Sequence, residues 1–164
     1  MTQQPPISFT VPGIPRAKGS FRVFRAAHGR PIVAKDSEKT YAWESTVSLA
    51  AKLAMGDQPP LEGPVEIRMV FRFPRPQAHY NRAGLRAGMP AAPAKKPDWD
   101  KVARSTGDAL AGICYGDDAQ VVEARVAKRW GEPGVSIEVE AWCGAPSAPA
   151  LTAACGAGAR GEGR

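Results

Sequence analysis

Cysteine, histidine and long apolar runs are all scarce in this chain of 164 residues, and each scarcity removes a class of function. The three cysteines, Cys114, Cys143 and Cys155, are odd in number and have neither a Cys-x-x-Cys spacing nor a neighbouring histidine. That argues against a disulfide framework and against a zinc site, and leaves them as small buried or incidental residues. His28 and His79 stand far apart without metal-ligand or triad spacing, which suits loop residues better than catalysts. No stretch of 18 or more apolar residues occurs, and Met1-Thr2-Gln3-Gln4-Pro5-Pro6 lacks the charged-then-apolar layout of a secretory signal. The expectation is a soluble, cytoplasmic protein with no membrane partner. The absence of a Gly-x-x-x-x-Gly-Lys-Ser/Thr run argues against a nucleotide-driven motor.

Acid is in short supply too. Against 22 Lys plus Arg there are 16 Asp plus Glu, a formal net charge of +6, so an acidic partner is expected. No acid precedes Asp36, while Arg16, Lys18, Arg22, Arg25, Arg30 and Lys35 crowd an irregular stretch that reads as an anion-facing loop or hairpin, or simply as a solvated charged loop. Against this background Asp98, Asp100, Asp117 and Asp118 form two tight clusters within some twenty residues. Adjacent carboxylates repel unless a proton or cation neutralises them, so the two clusters brought together suggest a divalent metal site. A basic surface around such a centre suggests phosphodiester chemistry.

The length suits one domain with a proper core. Ile7, Phe9 and Val11 alternate with polar residues as in a half-buried strand, ending at Pro12-Gly13. From about Glu38 to Met55, Tyr41, Val47, Ala50, Ala51 and Ala54 recur at near-helical spacing, closed by Gly56. Val65, Ile67, Met69, Phe71 and Phe73 give a clear period of two. The Pro-, Ala- and Gly-rich stretch from Pro74 to Pro97 reads as a long loop too broken for a packed element. A helix is predicted from Asp98, its N-cap, toward Gly112, with Trp99, Val102, Ala103, Thr106 and Leu110 inward. Residues 119–130 fit either a strand or a helix, and the Gly131-Glu132-Pro133-Gly134 turn favours a strand paired by hairpin with Val135–Ala141. Trp43, Trp99, Trp130 and Trp142 all fall within such elements and read as core or edge anchors. Residues 1–143 then form the domain, and 144–164, rich in Gly, Ala and Pro, a disordered tail.

On the predicted helix Asp100, Arg104 and Asp108 are spaced i, i+4, i+8 along one polar face. If the Asp117-Asp118 turn folds back beside the helix start, both clusters supply oxygen ligands to Mg²⁺ or Mn²⁺, with Arg104 or Lys101 stabilising charge on an attacked phosphate. The plainer alternative makes Asp98 a cap, Asp100 and Arg104 an exposed ion pair, and Asp117-Asp118 a turn.

Lys96-Pro97-Asp98-Trp99-Asp100, then Asp108-Ala109-Leu110-Ala111-Gly112, then Tyr115-Gly116-Asp117-Asp118-Ala119-Gln120-Val121-Val122, taken in order and spacing, resemble the RusA family of Holliday junction resolvases. The strong resemblance covers about residues 95 to 130; Val11-Pro12-Gly13-Ile14-Pro15 and Lys18 look more loosely like the family's opening. It implies an α+β fold, a mixed β-sheet packed by helices in a single small domain, acting as a homodimer that binds four-way DNA junctions and nicks them in pairs with Mg²⁺, or Mn²⁺ in its place. By position, Asp98, Asp100 and Asp118 are similar to the family's essential carboxylates, Asp117 is an adjacent acid that completes the metal set, and Arg104 stands where the family often has a catalytic lysine. Lys101 replaces a common asparagine. Arg16, Lys18, Arg22, Arg25, Lys95, Lys96 and Lys101 would then contact DNA phosphates. Family members often occur in phages and prophages, and a GC-rich genome would suit the Ala, Gly, Pro and Arg usage here.

Overall fold

A computed structural model describes residues 4–19, 23–25, 31–33 and 38–144. Arg22, His28, Arg30, Lys35, Cys155 and the tail from 145 lie outside the described residues. The strands are β1 (Ile7–Pro12), β2 (Val23–Arg25), β3 (Pro31–Val33), β4 (Val65–Phe73), β5 (Tyr80–Asn81), β6 (Gly84–Leu85), β7 (Val121–Trp130) and β8 (Gly134–Ala141); the helices are α1 (Glu38–Met55) and α2 (Trp99–Leu110). Four strands form one mixed sheet in the order β1-β8-β4-β7, with β1–β8 and β8–β4 antiparallel and β4–β7 parallel. The fold is α+β. β2 pairs with β3, in keeping with a hairpin in the basic segment.

The alternation in β4 decides its place. Val65, Ile67, Met69, Phe71 and Phe73 are all buried on one face, and β8 adds Val135, Ile137 and Val139 beside them. Each large side chain removed from water there contributes ~1.5–3 kcal/mol, so the two most apolar strands take the two central positions. α1 covers this face through Trp43, Val47, Ala51 and Met55, and α2 through Val102, Thr106, Ala109 and Leu110. The polar groups within the contact are paired, with Trp43 Nε1 donating to Thr106 Oγ1 at 3.4 Å and Ser48 Oγ to the Ala109 carbonyl at 2.9 Å. On the opposite face Arg68 reaches Glu66 at 3.0 Å, Glu138 at 3.1 Å and Glu140 at 2.8 Å, which compensates the buried Glu66.

Four expectations need correction. The Gly131–Gly134 link does not close a hairpin, because β4 lies between β7 and β8; the link crosses the end of β4, where the Gly131 N–H donates to the Phe73 carbonyl at 3.0 Å. A Cβ on Gly134 would stand 2.7 Å from the Val11 carbonyl oxygen, so only glycine admits this passage beside β1. Trp99 is 62% exposed and Trp142 39% exposed; neither is a core anchor. In α1, Tyr41 and Ala54 face solvent, and the inner stripe is instead Thr40, Trp43, Val47, Ala51 and Met55. The stretch from Pro74 to Pro97 holds a 3₁₀ turn (Gln77–His79) and the small β5–β6 hairpin.

Candidate active site

Two features of β7 and its surroundings deliver Asp98 to the start of α2. Lys128 Nζ donates to the carbonyl oxygens of Lys95 at 2.7 Å and Pro97 at 2.8 Å, which ties the incoming chain to β7. Lys18, on the strap that follows β1, donates its backbone N–H to the Lys101 carbonyl at 3.1 Å and so docks that strap on the first turn of α2. A shallow cleft at this corner brings Lys18, Lys96, Asp98 and Lys101 together.

Asp98 occupies the N-cap position with extended backbone angles, yet its side chain accepts no capping hydrogen bond. It pairs instead with Lys101 Nζ at 2.9 Å. The hydrogen bond from Lys101 and the charge of the same lysine hold the carboxyl below the ordinary aspartate range, with Lys96 and Lys128 adding smaller pulls. Asp100 and Arg104 follow on the exposed face, one turn apart. Asp108, the third residue of that row, accepts from Lys18 Nζ at 2.7 Å, and Glu44 stands 3.5 Å from the same ammonium. These partners, the Asp108 hydrogen bond first, raise the Lys18 pKa. Lys18 is thus compensated by two carboxylates, whereas Lys95 and Lys96 are exposed and Arg16 is half-buried. Arg25 lies in β2.

The second cluster is built by a side chain that sequence reasoning passed over. Asp117 Oδ1 accepts from the Ala119 N–H at 2.8 Å, and Gln120 Oε1 accepts from the N–H groups of Gly116 at 2.7 Å and Asp117 at 2.9 Å. This reciprocal capping box fixes the turn, and Gln120 Nε2 pins it by donating to the carbonyls of Leu61 and Gly63 at 3.1 and 2.8 Å. The spacing of Asp117 and Gln120 was the signal available in the sequence. Below the turn Tyr115 is fully buried, its hydroxyl donating to the Gly107 carbonyl at 2.9 Å. Asp118 is exposed at the top of the turn.

The two clusters stand toward opposite ends of α2. Asp98 and Asp100 are at its start beside Lys128, near the far end of β7; Asp117 and Asp118 follow its last turn and lead into the first residue of β7. Twelve helical residues span about 18 Å along the axis. The turn therefore does not fold back beside the helix start within one chain, and among the described residues no group of three or more His, Cys, Asp or Glu side chains is placed to hold a metal ion. The four carboxylates carry hard oxygen atoms, the kind that Mg²⁺ and Mn²⁺ accept, and they stand as two separate pairs.

The family model described as Endodeoxyribonuclease RusA matches residues 12–140, from the end of β1 to within β8, and so takes in both carboxylate clusters. The chain belongs to the RusA family. RusA proteins are endodeoxyribonucleases that act on branched DNA such as Holliday junctions. A relative in Bacillus subtilis (strain 168), the uncharacterized protein YqaN, is 29% identical over 138 residues, covering 81% of this chain and 94% of its own length. The RusA match reaches well beyond residues 95–130, over α1, β4 and most of β8.

Proposed function

We propose that the protein is a homodimeric, Mg²⁺-dependent resolvase that makes paired symmetric nicks in four-way DNA junctions during recombination and repair, with Mn²⁺ able to replace Mg²⁺. The observation that carries this reading is that Asp100 and Asp118 are exposed in a chain of net charge +6, yet neither has a basic partner within salt-bridge reach among the described residues. Carboxylates held at element starts without counter-charge suit cation ligands better than surface solubilisers. Because the two clusters lie toward opposite ends of α2, the proposed centre joins Asp98 and Asp100 of one copy to Asp117 and Asp118 of a second copy. A divalent cation held there supplies Lewis-acid polarisation of a phosphoryl oxygen and a more acidic bound water.

The chain's own residues do the rest. Lys101 and Lys96 keep Asp98 ionised. Arg104, on the same face as Asp100, offers its planar guanidinium to charge building on the phosphate. Arg16, Arg22, Arg25, Lys95, Lys96 and Lys101 contact backbone phosphates, and Lys18 joins them to the extent that Asp108 and Glu44 release it. The two-fold axis of the dimer matches that of the junction. The reading carries with it a phage or prophage protein acting in the cytoplasm of a bacterial host.

The deciding experiment is cleavage of an end-labelled four-way junction with Mg²⁺, with EDTA and the Asp118→Asn protein as controls. Symmetric nicks absent from both controls are expected. Equal cutting of forks, flaps and linear duplex would make the protein a less selective nuclease. Binding without cutting in Mg²⁺ and Mn²⁺ would make it a DNA-binding accessory protein.

A further inference from the structure

Between Phe73 and Asp98 the chain leaves the sheet on an excursion without a single acidic residue, carrying Arg75, Arg82, Arg86, Lys95 and Lys96. Its root is built on Trp130, the last residue of β7. The Arg75 guanidinium lies 5.1 Å from the Trp130 ring centroid, the His79 ring meets the indole edge-on at 5.6 Å, and Trp130 Nε1 and Arg75 Nη1 both donate to the Pro90 carbonyl, at 3.0 and 3.1 Å. From this root rises the β5–β6 hairpin, in which Tyr80 pairs with Leu85 and Asn81 with Gly84. Asn81 Oδ1 accepts the Ala83 N–H at 2.9 Å, Gly84 takes φ 113°, and the Arg86 N–H donates to the His79 carbonyl at 2.9 Å, so the tip is a closed turn.

The hairpin presents an unusual pair. Directly opposed residues of a ladder share a face, and here both are large and apolar: Tyr80 is 45% exposed and Leu85 53% exposed. Arg82 sits in the turn between them in sequence, exposed, and Arg86 follows at the hairpin's end. β7 positions this arm as well as the active corner, since Trp130 holds the arm's root and Lys128, two residues earlier, holds Pro97 beside Asp98.

We propose that this arm reads the DNA branch point: Tyr80 stacks on a base left without a stacking neighbour where the arms of the junction part, Leu85 fills the gap beside it, and Arg82 and Arg86 hold the flanking phosphates. The inference rests on the branched-DNA reading above. An acid-free basic arm selects a polyanion. A regular duplex offers an apolar pair nothing to cover, because its base faces are already stacked, whereas an interrupted stack exposes a π-face that an aromatic side chain takes without regard to sequence.

The test is a four-way junction with 2-aminopurine at the branch, titrated with the full-length protein in Ca²⁺, beside a linear duplex of the same sequence. Wild type is expected to quench the fluorescence, because Tyr80 restores a stacking neighbour to the probe. The Tyr80→Ala/Leu85→Ala protein is expected to lose that quench and to bind the junction about tenfold or more weakly, with duplex affinity unchanged, and Tyr80→Phe to retain both. Should the double variant lose duplex affinity as well, Tyr80→Ser alone decides by the same readouts. A probe that wild type leaves unchanged or brightens, or a double variant that keeps both the quench and the junction preference, overturns the proposal. Nicking of an unlabelled junction by wild type in Mg²⁺ is scored separately, so a failed nuclease reading and a failed arm give different results.

Discussion

The ammonium of Lys128 donates to the carbonyl oxygen of Pro97 at 2.8 Å, so the residue immediately before Asp98 hangs from a lysine 31 positions beyond it. The same Nζ lies 5.8 Å from the centroid of the Phe73 ring, on the neighbouring strand. Its charge is thus spent inside the molecule, on an aromatic face and two carbonyls, rather than offered to DNA.

Replacing Lys128 by Met keeps most of the side-chain volume and removes both hydrogen bonds to the segment that delivers Asp98. Hydrogen bonds to a charged donor are worth about 1.5–3 kcal/mol when part-buried. Junction nicking is expected to fall about tenfold or more, with a higher half-saturating Mg²⁺ concentration and little loss of junction affinity. Unchanged Mg²⁺ dependence in a folded Lys128→Met protein would show that Asp98 does not need this tether.

Lys101 sets the titration of Asp98. The folded-state pKa lies below the unfolded one, so the pairing stabilises the fold above the unfolded value and is lost as pH falls through the lower, folded value. The carboxylate is solvent-exposed, so its own carboxyl resonance is a better readout than global stability. In Lys101→Met protein the midpoint observed by NMR should climb toward the ordinary 3.8. A midpoint that stays put would mean that Lys96 and Lys128 dominate.

Thiol chemistry separates the two described cysteines. Cys114 is fully buried, and burial pushes its thiol up to about 11, while Cys143 is exposed. Thiolate is the reactive form, so in Cys155→Ser protein at pH 8 a thiol reagent should label Cys143 alone until denaturant is added. Mass spectrometry of native protein showing Cys114 labelled as fast as Cys143 would contradict this burial.

Much of this was legible in the chain. The periodicities of Val65–Phe73 and Val135–Ala141 mark strands because one face of each is wholly apolar, and the run from Glu38 to Met55 marks a helix closed at Gly56, whose N–H donates to the Lys52 carbonyl at 3.0 Å. Strand order was not legible. A short Gly-Pro link looks the same locally whether its strands pair or let another pass between them, and what decides is the non-local demand of Ile67, Met69 and Phe71 for cover on both sides. Trp99 misled for a similar reason: its helical phase fits the stripe, but it lies one turn before Val102, where nothing of the core reaches it. The carboxylates were visible as residues; their separation by the length of α2 was not, because it depends on how β7 runs back along that helix.

That separation gives the sharpest prediction. If Asp98 and Asp118 belong to one centre within a single copy, mixing inactive Asp98→Asn and Asp118→Asn proteins yields only dead centres. If each centre takes Asp98 from one copy and Asp118 from the other, a mixed dimer holds one centre with both substitutions and one with neither. Subunits exchanged by mild denaturation and refolding, or co-expressed with different tags and purified as the heterodimer, should then recover nicking of one junction strand, near half the wild-type rate per dimer, while either variant alone is reduced about a hundredfold or more. Gel-resolved junction cleavage reads the result directly. Recovery fits only shared centres, because neither copy in the mixture carries a complete set of its own; continued inactivity of a verified heterodimer would return both carboxylates to one chain and require the Asp117-Asp118 turn to move on binding DNA.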